Sequence, residues 1–386
     1  MVDADALDPS GLRLNGATIV GQLDLSDVVA KRPLVLRNCV TEAPVLLNRA
    51  QFSHLDLSGL VAPSMQCSGL AVDHDLRLTG ARLTGDGLTF DGRRMRIGGS
   101  VYFDAGFRTS GALRLNSSRI SEVLMCTGAH IGSTLHLVDT QVGDAIFLAD
   151  GFHAVGDGQH AAVRMRGARV DGQLVLRGGR FGSLDVRHVR VGKDLLMPFE
   201  GIEGPVQLEG LTYEGLPRDA TVDEWLSLLE TRTPYYSAQP WMQLAAAHQA
   251  AGNERDVRRI RVAAQRDLRR RGQLSRWGRL WHLIRGVTVG HGYRPGLALV
   301  WLAGVLAVSV GVVLVSGAVR CSSVEQVGYA LNVATPLVKV DAGRCTVVGS
   351  PAGQVVLAST WVLQILAWAF ATLFVAGFTG LVRRNA

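Results

Sequence analysis

The sequence predicts a mainly β fold: a parallel β-solenoid, or β-helix, with about 22 residues per coil, then a small α-helical adaptor and a two-helix transmembrane hairpin. The first observation is an apolar residue every eleven positions, which indicates stacked repeating units. Each has a small or apolar companion two residues later, and a third apolar residue follows seven residues after the first. The three sets are Leu113, Leu124, Leu135 and Ile146; Leu115, Cys126, Leu137 and Leu148; and Ile120, Ile131 and Val142.

The offsets of zero, two and seven residues distinguish strands from helices. On a helix, which turns by about 100° per residue, they point to about 0°, 200° and 340°, so the middle residue faces away. On a strand, positions two residues apart share a face. The pattern therefore predicts a short strand, a corner and another inward residue. The frame recurs at Leu12, Leu23, Leu34 and Val45, and at Val163, Leu174, Leu184 and Leu195, where Leu184 comes one residue early.

Two such units are needed for one coil, because eleven residues are too few to encircle a core. Each coil should then hold about six inward apolar side chains, and the solenoid should extend over about 12–215. About nine coils at about 4.8 Å each give a length of about 43 Å. Irregular spacing near 60–72, 84–111 and 150–162 predicts loops that extend from single coils. Glycines are expected at corners that need a positive φ angle, namely Gly21, Gly132, Gly143, Gly172 and Gly192.

Charge divides the chain into two parts. The 386 residues carry 40 Lys and Arg against 33 Asp and Glu, a net charge of +7. Residues 1–220 hold 22 basic and 25 acidic residues, whereas 221–386 hold 18 and 8. A slightly acidic solenoid argues against nucleic acid as a partner, because binding to phosphates needs a basic face. A local patch of Arg93, Arg94 and Arg96 remains an alternative to a solvated loop.

Two stretches are long and apolar enough to cross a membrane, which takes about 20 residues. Residues 295–319 contain no charge, and neither do 345–382, of which 357–382 form the predicted second span. Eleven arginines in 255–285 precede the first span, and Arg383 and Arg384 follow the second. By the positive-inside rule, both termini are cytoplasmic and the connector 320–350 is exterior.

The predicted domains are accordingly a cytoplasmic solenoid (1–218), a basic helical adaptor (219–286) and a transmembrane hairpin (287–386). The first residues, MVDADALDPSGL, are acidic and contain no apolar stretch, which argues against a signal peptide. We therefore expect a multi-pass protein of the plasma membrane. Two buried core helices of a soluble domain are the alternative.

Several side chains in and beside the spans bear on helix packing. Small residues spaced by four allow close approach in lipid, although they also fit ordinary membrane composition. Gln364 is the strongly polar side chain deep in the second span, either tolerated there or bonded to another helix or a second subunit. The possibility that the protein forms a homo-oligomer therefore stays open. The small residues are Ala303, Ala307, Gly311, Ala376 and Gly380, and the expected interfacial anchors are Trp277, Trp281, Tyr293 and Trp361.

The five cysteines divide by compartment. Cys39, Cys67 and Cys126 fall in the solenoid, where we expect reduced, buried thiols. Cys321 and Cys345 fall at the two ends of the exterior connector. They form either a disulfide that closes this loop or two free thiols.

The adaptor is expected to contain three helices. Thr221 and Glu224 form a capping box, Pro240 suits a first helical turn, and Gly252 suits a helix C-terminus. The third helix carries its arginines outward. We expect the adaptor to end the solenoid and to lay the Arg-rich segment 255–285 on anionic lipid. Its predicted inward residues are Trp241, Leu244, Ala247, Ala251, Val257, Ile260, Ala264 and Leu268.

No motif in the sequence indicates an active site, so we predict no catalytic, cofactor-binding or metal-binding residue. The stretch 156–161 fits a dinucleotide glycine pattern only superficially, because no buried strand precedes it and no helix follows. His153 and His160 share a predicted loop with Asp150 and Asp157, as metal ligands or as a polar surface. His130 and His136 occupy successive sides of one coil.

The solenoid resembles pentapeptide-repeat proteins in a degenerate form, without a clean A-[DN]-L-x-x run. The stretches QPWMQLAAAHQAAGNERDVRRIRVAAQRD, VGHGYRP and ATLFVAGFTGLVRR, with the whole layout, resemble a group of actinobacterial membrane proteins. Some of these carry the label membrane-associated oxidoreductase, which the resemblance implies as an activity. The shared motifs are architectural, and no electron-transferring or cofactor-binding residue carries over.

The membrane part is similar to two-helix pore subunits with a re-entrant helix, through the apolar stretch 329–337 in its connector. Such channels assemble as tetramers and bind ions through backbone carbonyls. The T-x-G-[YF]-G filter is absent, and Pro336 and Lys339 argue against a cation filter.

Three functions follow from these observations. The first is a membrane-anchored scaffold or interaction protein, whose solenoid offers an extended surface to an unknown protein partner. The second is an oligomeric, channel-like or transport subunit. The third is a membrane-associated oxidoreductase that uses the extended loops.

Overall fold

The computed structural model describes residues 11–217, 220–272, 296–316, 319–320, 322–334, 346–347 and 351–382. The chain forms two compact units, Met1–Gly272 and Gln273–Ala386. The first contains the solenoid and the adaptor helices, and the second contains the apolar helices.

The first unit is a parallel β-solenoid of about nine coils, as predicted. Each coil passes in turn through four parallel sheets, which we name A, B, C and D, so that A lies opposite C and B lies opposite D. Leu34 pairs with Leu12 of the previous coil and with Leu55 of the next, which confirms the coil of about 22 residues.

The strands are short and fall into the four sheets as follows. Sheet A comprises Leu12–Asn15, Leu34–Arg37, Leu55–Asp56, Leu76–Arg77, Val101–Tyr102, Leu124–Met125, Ile146–Phe147, Leu174–Val175 and Leu195–Leu196. Sheet B comprises Thr18–Ile19, Val40–Thr41, Val61–Ala62, Arg82–Leu83, Arg108–Thr109, His130–Ile131, His153–Ala154 and Arg180–Phe181. Sheet C comprises Val45–Leu46, Met65–Gln66, Leu88–Asp91, Ala112–Arg114, Leu135–His136, Val163–Arg164, Leu184–Asp185 and Val206–Gln207. Sheet D comprises Val29–Ala30, Gln51–Phe52, Ala71–Val72, Arg96–Ile97, Arg119–Ile120, Gln141–Val142, Arg169–Val170, Arg190–Val191 and Thr212–Tyr213.

The core of each coil is larger than the predicted six side chains. A regular unit turns four residues inward, at offsets zero, two, five and seven, so a regular coil has eight inward positions. Offset five holds small or polar residues in some units, such as Ala129 and Thr140, and large apolar ones in others, such as Leu60 and Leu211, so no single residue type marks it. In one coil the eight buried residues are Leu124, Cys126, Ala129, Ile131, Leu135, Leu137, Thr140 and Val142.

The corner glycines have a different role from the one predicted. Gly21 does adopt a positive φ of 82°, but Gly132, Gly143, Gly172 and Gly192 do not. At Gly132 a Cβ atom would lie 2.3 Å from the carbonyl oxygen of Ser110 in the preceding coil. The same close approach occurs at the other three glycines, so they are needed for backbone stacking rather than for φ.

Only one of the three predicted loops extends from the solenoid. Residues 60–72 continue the strands without interruption, because Ala62 and Cys67 take inward positions without a leucine to mark them. Within 84–111 the coil from Leu76 to Val101 is lengthened by a few residues and keeps its strands. A loop does follow Ala154, since the next strand begins only at Val163.

The adaptor helices pack on the last coil and share its hydrophobic core. Helix α1, Val222–Ser227, begins with the predicted capping box of Thr221 and Glu224 and continues as a π-helical turn, Leu228–Arg232. Helices α2, Ala238–Ala250, and α3, Glu254–Arg271, follow, and a short 3₁₀ turn lies earlier at Phe199–Gly201. The predicted inward residues are buried or half-buried, except Ala251, which is exposed.

Polar side chains of α2 cover the backbone edge of the solenoid. Gln239 accepts a hydrogen bond from the Gly210 amide and donates one to the Leu211 carbonyl, at 2.8 and 2.9 Å. Gln243 donates to the carbonyl of Tyr213 at 2.7 Å. These bonds satisfy an edge that would otherwise be free to pair with another chain.

The second unit contains two long apolar helices, α4, Gly296–Ser316, and α6, Pro351–Val382. Between them lie a shorter helix α5, Ser323–Ala334, and two antiparallel strands, Val319–Arg320 and Thr346–Val347. Windows of α4 (Leu299–Ser316) and α6 (Gln354–Thr372) are long and apolar enough to cross a membrane, and only 17% of each is buried within the protein.

Candidate ligand groove on sheet B

A groove of about 440 Å³ runs along the outer surface of sheet B. Residues from four consecutive coils line it, among them the outward residues Arg82, Arg108, His130 and His153. Corner residues also line it, among them Thr84, Ser110, Gly132 and Val155. This groove is the candidate site that the fold offers within the described part of the chain.

The repeat itself builds the floor of the groove. In each coil the outward residue of sheet B directly precedes an inward residue, as His130 precedes buried Ile131. Parallel pairing places Arg82 beside Arg108, Arg108 beside His130, and His130 beside His153. His153 in turn lies beside Arg180. The result is a row of five basic or imidazole side chains, one per coil, at the usual strand spacing of about 4.8 Å.

The arginines of this row carry charge that no nearby carboxylate neutralises. Arg82, Arg108 and Arg180 have no carboxylate oxygen within 4.0 Å among the described residues. By contrast, Arg37 pairs with buried Asp56 at 2.7 Å on sheet A. The groove therefore concentrates positive charge that the fold does not neutralise.

Elsewhere in this fold, arginines are neutralised by a buried carboxylate, and Asp185 is an example. Desolvation raises the pKa of Asp185, but hydrogen bonds from Arg187 and the nearby Arg166 outweigh it and leave the pKa below its ordinary value. Arg187 donates two bonds to Asp185, at 2.8 and 2.7 Å. In the described coils, no carboxylate oxygen lies within 4.0 Å of the arginine side chains of the row on sheet B.

The two histidines of the groove contact each other. Their ring centroids lie 6.0 Å apart with the planes at 85°, an edge-to-face arrangement. The Nδ1 atom of His130 lies 3.2 Å from the Gly128 carbonyl oxygen. The sequence pattern had paired His130 with His136 and His153 with His160. The signal that marks the row is a basic or imidazole residue directly before the inward position in successive coils.

The predicted loop cluster of His153, His160, Asp150 and Asp157 does not come together. His153 belongs to sheet B, and Asp150 occupies a corner with φ 39°. His160 instead contacts Asp157, with Nδ1 2.8 Å from Oδ2. Within the described residues, no group of three His, Cys, Asp or Glu is arranged to hold a metal ion.

His136 lies on sheet C close to this His160–Asp157 pair. Desolvation, together with the positive charges of Arg164 and Arg114, lowers the pKa of His136 to about 4. The hydrogen bonds that His160 donates lower the pKa of Asp157 to about 2. His136 is thus a neutral, half-buried side chain at neutral pH.

The other residues named from the sequence have structural surroundings. Gly156 and Gly158 lie in the loop after Ala154, with positive φ and without a following helix. Arg93 pairs with Asp91 at 2.8 Å, Arg94 occupies a left-handed corner, and Arg96 belongs to sheet D, so no compact arginine patch forms.

The solenoid thiols are free and buried, as expected. Burial raises the pKa of both Cys67 and Cys126, which makes these thiols unreactive. Cys321 and Cys345 lie outside the described residues, as do Trp277, Trp281 and Tyr293.

In the second unit, the described contacts place side chains along the helix pair. Val356 packs with Val313, and Leu363 packs with Val305. Trp361 lies between these two levels and is 61% exposed. Its role as an interfacial anchor stays a prediction. Gln364 is exposed on the helix surface.

Comparison of the chain with protein families, curated proteins and solved structures gave no match in any of the three.

Proposed function

We propose that this protein is a membrane-anchored scaffold, whose solenoid stands on the cytoplasmic side and binds a protein partner. The observation that carries the proposal is a rigid nine-coil solenoid in the same chain as two apolar helices that the protein leaves largely uncovered. Stacked coils provide a long surface whose side chains keep fixed spacing, which suits binding rather than chemistry.

The exposure of α4 and α6 supports lipid rather than protein around them. Val300, Val315, Val362 and Ile365 are all more than half exposed. Core helices of a soluble domain would bury such residues. The arginine-rich flanks give the orientation, with both termini cytoplasmic and the protein in the plasma membrane.

The basic face of α3 is a second point of membrane attachment in this proposal. Arg255, Arg258 and Arg266 are exposed, and their spacings of three and eight residues place them on one side of the helix. This face supports binding to anionic lipid. The run 269–271 contributes less, because Arg271 donates to the Thr233 and Leu229 carbonyls and Arg270 to that of Glu230.

Alkaline carbonate extraction of membranes tests the anchor. The full chain should stay in the membrane pellet, and substitution of Val305 and Leu363 by aspartate should release it. A matched pair of aspartates at Gln141 and Gln51, which are exposed on the solenoid, should not. Release of the unmodified chain would contradict the proposal.

One observation favours a channel-like or transport subunit as a second candidate. Helix α5 packs beside the middle of α4, where the Ser309 hydroxyl donates to the Ala330 carbonyl at 3.1 Å. Tyr329 reaches the cluster formed by Val305, Leu363 and Ala367. A connector helix at this depth is what a re-entrant segment requires.

Flux through proteoliposomes, measured together with the oligomeric state in detergent, separates the two candidates. A fourfold oligomer with ion flux would favour the pore. A protein without flux in a monomeric or dimeric state would favour the scaffold. The resemblance to actinobacterial membrane proteins fits either candidate, and bound flavin, haem or nicotinamide absorbance would be needed to support an oxidoreductase.

A further inference from the structure

We propose that the groove on sheet B binds an acidic, extended peptide segment of a partner protein. The proposal rests on the scaffold function and names the chemistry of its partner. It is carried by the row of Arg82, Arg108, His130, His153 and Arg180, which the parallel register places side by side in five consecutive coils.

Two arginines of the row repel each other. Like charges directly opposite each other on neighbouring strands destabilise a sheet, and Arg82 lies directly opposite Arg108. The described structure supplies no carboxylate to either guanidinium within 4.0 Å. In the two opposed arginine pairs of sheet D, one partner of each has a side-chain acceptor, since Arg169 pairs with Asp171 and Arg119 donates to Gln141. A ligand with negative charge would remove the repulsion on sheet B.

The dimensions of the groove fit a short extended segment. From Arg82 to His153 the groove crosses four coils, which at about 4.8 Å per step is about 14 Å. An extended peptide rises about 3.3 Å per residue, so about four residues span this length. The exposed Val155, at 57%, provides an apolar contact at one end.

The charge of the whole solenoid favours a peptide over a nucleic acid. Residues 1–220 have three more acidic than basic residues, so a long polyanion is repelled outside the groove. A segment with two or three carboxylates gains the local contacts to arginine and avoids most of that repulsion. Guanidinium groups also bind carboxylates through paired hydrogen bonds.

Sheet D provides a matched control on the opposite side of the solenoid. Arg96 and Arg190 occupy the equivalent outward position directly before an inward residue, and both are exposed. Like Arg82 and Arg108 they have no carboxylate within 4.0 Å among the described residues. They do not line the groove, so their removal changes the charge equally without touching the proposed site.

The test measures fluorescence anisotropy of a labelled peptide of alternating aspartate and alanine. The full chain is used in nanodiscs of phosphatidylcholine. We expect saturable binding that added salt weakens, and no binding of the same peptide with asparagine for aspartate. Arg82→Gln with Arg108→Gln should weaken binding at least tenfold, because two charged contacts are lost. Arg96→Gln with Arg190→Gln should change it less than twofold.

The melting temperature of each variant shows whether it folds. The Arg82→Gln, Arg108→Gln chain should melt at or above the temperature of the unmodified chain, since it loses a repulsion. Equal binding of the asparagine peptide, or equal loss in both double variants, would overturn the proposal. Groove-dependent binding of single-stranded DNA or inorganic polyphosphate without binding of the peptide would also overturn it. Carbonate extraction of membranes tests the anchored scaffold and does not depend on the groove. The two proposals can therefore be contradicted independently of each other.

Discussion

At the scale of single residues, the solenoid depends on backbone positions that the apolar period does not show. In most units the residue four positions after the first inward residue takes a left-handed conformation, as Ser117 and Asp139 do with φ of 58° and 54°. Offset five is filled by a small residue such as Ala129 in some units and by a large one such as Leu60 in others. The sequence predicts the leucine positions because burial selects large apolar side chains there. It does not predict offset five, because the residue type there varies, and alanine, serine and threonine are common on surfaces as well.

Gly132→Ala should destabilise the solenoid by about 1–3 kcal/mol, because its Cβ would meet the Ser110 carbonyl oxygen and force the two coils apart. Ser121 occupies the equivalent corner one unit earlier and already carries a side chain. Ser121→Ala should therefore cost less than about 0.5 kcal/mol. Thermal unfolding followed by circular dichroism compares the two, and equal melting temperatures would contradict this account of the corner glycines.

His136 makes stability depend on pH. Its pKa is lowered to about 4 by desolvation and by Arg164 and Arg114, so the unfolded chain takes up the proton first as pH falls. The stability from the neutral side chain is complete above the unfolded pKa of about 6.5 and is lost as pH falls from there towards 4. Because the side chain is partly solvated, we expect a loss of about 1 kcal/mol between pH 7 and pH 5.

The variant His136→Gln tests this dependence. The difference in melting temperature between pH 7 and pH 5 should be smaller in the variant than in the unmodified chain. Burial also lowers the pKa of His54 and His248, but both residues remain in the two chains and their effect cancels. An unchanged difference would show that His136 is not the responsible group.

At the scale of elements, the helices that end the solenoid are held by polar contacts. The sequence predicted the capping box because it is a fixed four-residue pattern. It did not predict the hydrogen bonds of the two glutamines of α2, because their partners lie 28 to 30 residues earlier in the last coil. The same applies to the groove, whose residues come from coils that are adjacent only after folding.

Among the contacts between helices, the ion pair of Asp267 with Arg271 can be tested most directly. The Asp267 carboxylate is buried and pairs with Arg271, which also bonds two carbonyls of the turn after α1. Arg271→Gln should destabilise the first unit by about 2–4 kcal/mol, since a buried charge loses its main partner. Arg255→Gln, on the exposed face of the same helix, is the control. Limited proteolysis near α3 should accelerate only in the first variant, and similar rates would contradict the assignment.

At the scale of the whole molecule, the sequence predicted the order of a solenoid, an adaptor and two apolar helices. Periodicity, capping and hydropathy made this possible because each depends on residues that are close together in the sequence. Helix α5 was only partly anticipated, as an apolar stretch, since its packing on α4 depends on tertiary contacts. For the connector between the two apolar helices, the sequence also predicts a disulfide as one of two alternatives. Arg320 lies opposite Thr346 in the antiparallel pair, and Cys321 and Cys345 are their neighbours in sequence.

A disulfide between these two cysteines, which lie outside the described residues, stays a prediction of the sequence for an exterior connector. Peptide mass analysis of membranes prepared with a thiol-blocking reagent should recover 321 and 345 in one linked fragment, which reduction separates. A protein labelled at both thiols without prior reduction would contradict the disulfide and the exterior placement together.

The central claim is a β-solenoid held at the cytoplasmic side by two helices that cross the membrane. Protease accessibility of the full chain tests it most directly, in intact cells and in inverted membrane vesicles. The solenoid should resist external protease in intact cells and be cleaved in the vesicles. Cleavage of the solenoid from outside intact cells, or its full protection in inverted vesicles, would contradict the account.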